Sequence, residues 1–167
     1  KNRLVTRNAV SLVFYLPISY LNTIAQIPGV ARVGYGNWFG GKFREEEFRF
    51  QQFAVDENYI EIYSEFLFGA GEKEEWRKDR KGILIGKAIA ESYGLQVGDQ
   101  VQLRGTIFPG MWDFTVRGIF HAADPDKDTR IMYFHWNYLN ERNRVELQRQ
   151  PDHVGFYWIE LAPGAEP

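Results

Sequence analysis

The chain has 167 residues, no cysteine, 13 Phe, 9 Tyr and 5 Trp, and 20 Lys and Arg against 22 Asp and Glu, a formal charge of -2. Disulfide scaffolds and cysteine-based zinc sites are excluded, and the charge balance gives no whole-domain attraction to nucleic acid. The length suffices for one domain whose core needs no covalent staple. The longest apolar stretch, 9–21, is interrupted by Ser11, Pro17 and Ser19 and falls short of the ~20 residues of a spanning helix.

Val10–Leu16 is a nearly continuous apolar run rich in β-branched and aromatic residues, the pattern of a strand buried on both faces. Pro17 ends it. Ile18, Leu21, Ile24 and Ile27 then predict a short amphipathic helix, with Ser19 as N-cap and Pro28-Gly29 as its stop. Val30–Tyr35 is extended, so the opening reads as strand, helix, strand, one βαβ-type unit. Between Gly34 and Asp56, four glycines around Asn37-Trp38-Phe39 are followed by Phe43, Phe48, Phe50, Phe53 and Val55 among charged residues, which predicts hairpins. Phe48 and Phe50 share one parity and Phe53 and Val55 the other, placing a bulge or break near Gln51-Gln52. Tyr59–Tyr63 reads as another short strand, and the charged Glu72–Arg80, with Trp76 its one aromatic, as one or two exposed helical turns.

The clearest local grammar lies between Gly82 and Ala122. Ile83–Ile85 is a strand, Gly86–Tyr93 a helix stopped by Gly94, and Gly98-Asp99 a turn into Gln100–Arg104. Phe114–Phe120 returns as the second strand of a hairpin whose loop, Gly105–Gly110, is free to project outward. Ile131–Phe134 is a strand, His135–Asn143 a helix and Gly155–Leu161 a last strand. Helical and extended segments alternate only in part. This predicts an α+β fold with a mixed or antiparallel sheet and a strand-rich insertion.

Asp124, Asp126 and Asp128 have the spacing of the first ligands of a calcium loop, but Thr129 stands where the loop needs Gly and His135 where it needs a bidentate Glu. A solvated acidic turn is the main reading there, a weak calcium site the alternative. His121, His135 and His153 lack the spacing of a helical zinc motif. No P-loop, dinucleotide fingerprint or nucleophile elbow occurs, so no catalytic residue and no cofactor is assigned. The basic clusters Arg77-Lys78, Arg80-Lys81 and Arg142, Arg144, Arg149 are interleaved with acid and read as solvated faces rather than a nucleic-acid surface. Trp38, Phe39, Phe108, Met111 and Trp112 lie in Gly/Pro-bounded loops. They are either core anchors under those loops or, where exposed, a contact surface.

The runs Gly82–Ala90, Tyr93–Leu103 and Phe114–Phe120, in that order, resemble the MacB-like periplasmic core domain of ABC-transporter permeases of the MacB/LolC/FtsX type. Ile24–Val30, with its Pro-Gly-Val end, and Ile159–Ala165, with its Pro-Gly turn, are similar to that family's first helix end and late turn. The resemblance implies a porter-like α/β lobe with a mixed sheet (1–35 and part of 82–167) and an inserted strand-rich lobe (36–81). It implies a non-catalytic domain on the periplasmic or extracellular face of the cytoplasmic membrane, relaying ATP-driven motion. Implied partners are a cytoplasmic ATPase subunit, a second permease copy, and a periplasmic adaptor or cell-wall partner. Substrate or partner contact is expected through Trp38, Phe39, Phe108, Met111 and Trp112. A start at Lys1 rather than Met fits a domain excised between two membrane helices. A freestanding secreted β-rich module for sugar or lipid is the alternative, and a hydrolase the third reading.

Overall fold

The computed structural model describes residues 3–9, 14–44 and 50–165. In chain order the elements are β1 (Arg3–Arg7), β2 (Leu16–Pro17), α1 (Tyr20–Ala25), β3 (Val30–Trp38), β4 (Gly41–Phe43), β5 (Gln51–Val55), α2 (Glu57–Ile62), β6 (Phe66–Leu67), α3 (Glu72–Lys78), β7 (Gly82–Gly86), α4 (Lys87–Tyr93), β8 (Gln100–Gly105), β9 (Gly110–Ala122), β10 (Ile131–His135), α5 (Trp136–Val145), β11 (His153–Val154) and β12 (Phe156–Leu161). One mixed sheet runs β1-β12-β3-β5-β10-β7-β9-β8-β4, with β6 added to β9, while β2 and β11 form a small second sheet. The fold is mixed α+β.

The sheet separates two cores. Ile83, Ile85, Phe114, Met132, Phe134, Leu139 and Tyr157 belong to the larger, while Leu84, Phe120, Tyr133, Val55, Tyr59 and Trp76 fill the smaller. Central strands such as β7 are buried on both faces, which is why they read as continuous apolar runs rather than alternating ones. The same fact removes the bulge expected near Gln51-Gln52. Phe50 and Ala54 face the larger core and Phe53 packs on the smaller, so the parity change reflects two buried faces of one strand. Gln52 points inward, where its amide is satisfied by the Gly41 N–H (2.5 Å) and Gly41 carbonyl (3.0 Å). Phe48 lies outside the described residues.

Several expectations are corrected. Of Tyr59–Tyr63, expected as a strand, Tyr59–Ile62 is helical: the Asp56 side chain caps α2 by accepting from the Tyr59 N–H, and Tyr59, Ile60 and Ile62 are buried. Ser19 makes no cap bond to α1. Residues 10–13 of the expected first strand lie outside the described residues, and only Leu16-Pro17 of the remainder is extended, paired with β11. The leading strand is instead β1, antiparallel to β12, which is itself antiparallel to β3. The opening is therefore a split β-α-β unit, with the last strand of the chain inserted between its two strands. β4 pairs with β8 rather than with β5. Residues 36–81, expected as a separate strand-rich lobe, supply the end of β3, β4, β5, α2, β6 and α3, and β5 is hydrogen-bonded to both β3 and β10. That segment is woven into the main sheet.

The hairpin loop between β8 and β9 folds back instead of projecting. Phe108 and Trp112 are buried, the Trp112 indole donates to the Phe108 carbonyl (3.0 Å), and Thr106 bonds the Gly40 carbonyl. Gly98, at φ +97°, makes the turn before β8, where the Asp99 carboxylate accepts from the Gln96 N–H (2.8 Å).

β5 and β10 are parallel neighbours, and α2 and α5 leave their carboxyl ends to opposite faces of the sheet. Asp56 sits at this divergence and accepts from the Tyr35 (2.9 Å) and Tyr59 (3.1 Å) N–H groups. Burial outweighs those donors and pushes its carboxyl up to about 6 from 3.8. A carboxyl raised on folding contributes stability that is full below pH 4 and is lost as the pH rises through 6. Asp56→Asn, which never ionises, is expected to gain on the parent by about 2–3 kcal/mol in unfolding free energy between pH 4 and pH 8. Parallel denaturant titrations at the two pH values measure this; a difference that does not change with pH contradicts it.

Candidate contact groove

The face of the sheet that carries the smaller core is only partly roofed by α2 and α3. β1, β12, β3 and β5 project the side chains of Val5, Arg7, Phe156, Trp158, Trp38 and Phe53 toward one groove of about 280 Å³, closed at its sides by Tyr15 and Tyr59. The register explains the convergence. Val5 stands opposite Trp158, Arg7 opposite Phe156, Phe156 opposite Gly36, and Trp38 opposite Phe53. Alternation along each strand then places these residues on one face.

Two glycines of β3 shape the floor. A Cβ at Gly34 would lie 2.7 Å from the Tyr59 nitrogen, so glycine lets α2 approach the sheet closely. A Cβ at Gly36 would meet the Ala54 carbonyl oxygen at 2.4 Å and the Phe156 ring at 3.1 Å, so the ring lies over bare backbone. Phe156 meets Phe53 (6.0 Å, 78°), Tyr59 (6.0 Å, 52°) and Trp158 (6.2 Å, 81°) in an aromatic floor. The hydroxyl of Tyr59 is engaged by Tyr63 and Tyr133, and burial raises its ionisation further above the usual range.

The free edge of the groove, β1, is pinned by Glu65. Burial alone would raise this carboxyl, but hydrogen bonds from Arg3 (2.8 Å) and Lys127 (2.6 Å) hold it at about 2. The Arg3 guanidinium also lies 4.8 Å from the centre of the Tyr63 ring. Trp38 leans on Gly40 and remains 43% exposed, and Val5 is 48% exposed, so apolar surface faces solvent along the groove.

Of the five aromatic and Met positions expected to make contacts, the structure brings only Trp38 to this groove. Phe39, Phe108 and Trp112 are 0–2% exposed and pack on one another and on Phe134, so they are core anchors and the contact reading is corrected for them. Met111 is exposed but lies in a separate polar cleft with Arg80, Tyr138 and Arg142. Val5, Arg7, Tyr15, Phe53, Phe156 and Trp158 escaped sequence reasoning because pairing of the two chain ends assembles them. The usable signal was aromatic residues at both parities of Phe156–Ile159.

The other candidates separate. Asp124 accepts from the Asp126 N–H (3.0 Å) and Asp128 pairs with Arg130 (3.1 Å), so these carboxylates serve local turns. Among the described residues no three His, Asp or Glu side chains stand together as a metal site. His135 stacks on Trp76 (3.9 Å, 10°) and donates from Nε2 to the Trp76 carbonyl (2.7 Å); burial lowers its basicity. Arg77 is paired with Glu61 (2.6 Å), Arg80 with Glu141, and Arg144 with Asp152 (2.6 Å), which ties the basic clusters into mixed-charge faces. Among the described residues no helix is long and apolar enough to cross a membrane.

Three solved structures share this fold. The extracellular domain of the noncanonic ABC-type transporter YknZ from Gram-positive bacteria is 13% identical, with a TM-score of 0.64 over 98% of this chain and 85% of that one. The periplasmic region of MacB from Actinobacillus actinomycetemcomitans is 10% identical, with a TM-score of 0.65 over 98% and 76% of the two chains. A domain of a permease protein from Porphyromonas gingivalis is 15% identical, with a TM-score of 0.61 over 99% and 76%. No curated protein matches the sequence significantly. The sequence signature of the MacB-like periplasmic core domain matches residues 6–167, and the chain belongs to that family, the periplasmic domain of MacB-like ABC-transporter permeases.

Proposed function

We propose that this domain works outside the cytoplasmic membrane as the non-catalytic part of an ABC-transporter permease, and that it meets an extracytoplasmic substrate or envelope partner at the groove around Trp38. ATP hydrolysis belongs to a cytoplasmic ATPase subunit. The domain, beside a second permease copy, converts that motion into movement of whatever the groove holds. Family membership over residues 6–167 supports the transporter setting. The observation that carries the contact role is the exposure of Trp38 above an aromatic floor, in a fold that buries Phe39, Phe108 and Trp112.

The test is complementation of a deletion of the permease gene by the complete permease carrying Trp38→Ala. Loss of complementation supports the groove as the contact site. Full complementation removes it.

A further inference from the structure

The groove differs from an ordinary uncovered sheet face in one respect, which is where its charge sits. Among its lining residues only Arg7 is ionic, and the rest of the surface is aromatic or aliphatic apart from the Gly155 backbone. Arg3 lies four residues earlier on the same face of β1 and is neutralised by Glu65. Arg7 is exposed, and no described carboxylate pairs with it. A cationic fork therefore stands at the rim of an apolar trough.

We infer that the groove binds a single-chain amphiphile ending in one carboxylate, its tail lying on Phe53, Phe156 and Trp38 and its head on the Arg7 guanidinium. The inference rests on reading the groove as the contact site and names what it contacts. The planar guanidinium matches a carboxylate bidentately. One cation balances one negative charge, whereas a phosphate monoester, carrying nearly two, would leave excess charge beside an apolar floor. A sugar fits poorly. Its hydroxyls need many partners, and the Tyr59 hydroxyl is already engaged by Tyr63 and Tyr133. A volume of about 280 Å³ lies at the small end of ligand pockets. A short hydrocarbon tail suits it.

Equilibrium binding of decanoate, decyltrimethylammonium and decyl maltoside to this chain, each below its micelle concentration, tests the inference. Decanoate should bind saturably at one site and most tightly of the three. Arg7→Glu should weaken decanoate by about tenfold while sparing decyl maltoside, Arg7→Lys should retain part of the preference, and Trp38→Ala should weaken all three ligands. Absence of saturable decanoate binding, equal affinity for the three head groups, or indifference to Arg7→Glu would overturn it. If decanoate fails while Trp38→Ala still abolishes complementation, the carboxylate amphiphile is wrong and a protein or peptide occupant takes its place, with the contact site intact. If decanoate binds as described and Trp38→Ala complements fully, the ligand site stands and the transport role of the groove falls.

Discussion

Trp112→Ala is expected to lower the stability of the domain by about 3–5 kcal/mol, because a fully buried tryptophan takes with it both its transfer free energy and the packing around the cavity it leaves. The Trp112 ring meets Phe39 (5.1 Å, 79°) and Tyr138 (5.2 Å, 68°) edge-on, and the Arg142 guanidinium lies 4.0 Å from its centre. The indole N–H is the partner of the Phe108 carbonyl, so its removal also frees the folded-back hairpin loop. For a domain of this size the loss corresponds to a Tm drop of roughly 6–20 °C. Trp38→Ala removes a side chain that is 43% exposed and should cost about 1 kcal/mol. Thermal unfolding of the two variants side by side separates core from contact surface; equal shifts would contradict the burial described.

A loss of similar size is expected for Trp76→Ala, for a different reason. α3 carries Glu72, Lys73, Glu74, Glu75, Arg77 and Lys78, and Trp76 is its one buried residue. The helix is thus attached chiefly through one indole, which donates to the Gly82 carbonyl (3.0 Å) and stacks on His135. The surrounding ion pairs, such as Arg77 with Glu61 and Lys78 with Glu75, are solvent-facing and weak individually. Removing Trp76 should cost about 3–5 kcal/mol and release α3 from the sheet, so that its amides exchange as fast as those of an unprotected peptide. Protected α3 amides in the variant would show that the ion pairs hold the helix.

The elements legible in the sequence are those specified within a few residues of themselves. Gly94 adopts φ +64° and ends α4 where a glycine stop was expected, and the alternation of Val101 and Leu103 with polar neighbours predicts β8 and its pairing with β9. Tyr59–Tyr63 misled because aromatic and aliphatic residues over so short a run fit either period; the deciding feature is the Asp56 cap, which the charged neighbours obscure. The order of strands was not legible at all. β1 meets β12 only after the whole chain has folded, and the groove is built across that junction. Trp38 was legible as a candidate because it stands among glycines, but nothing local distinguishes it from Phe39, which the alternation of β3 and its approach to Phe108 and Trp112 send into the core. Lobe boundaries failed for the same reason as strand order: β5 lies between two strands from distant parts of the chain.

The role of the groove is tested most directly by complementation of a permease-gene deletion with three variants of the complete permease. Trp38→Ala removes the exposed aromatic of the groove, Trp38→Phe keeps an aromatic there, and Val145→Ala removes an exposed apolar side chain on α5, away from it. Loss of complementation by Trp38→Ala alone, with rescue in Trp38→Phe and full activity in Val145→Ala, is the predicted result. Full complementation by Trp38→Ala would contradict the assignment of the groove as the contact site.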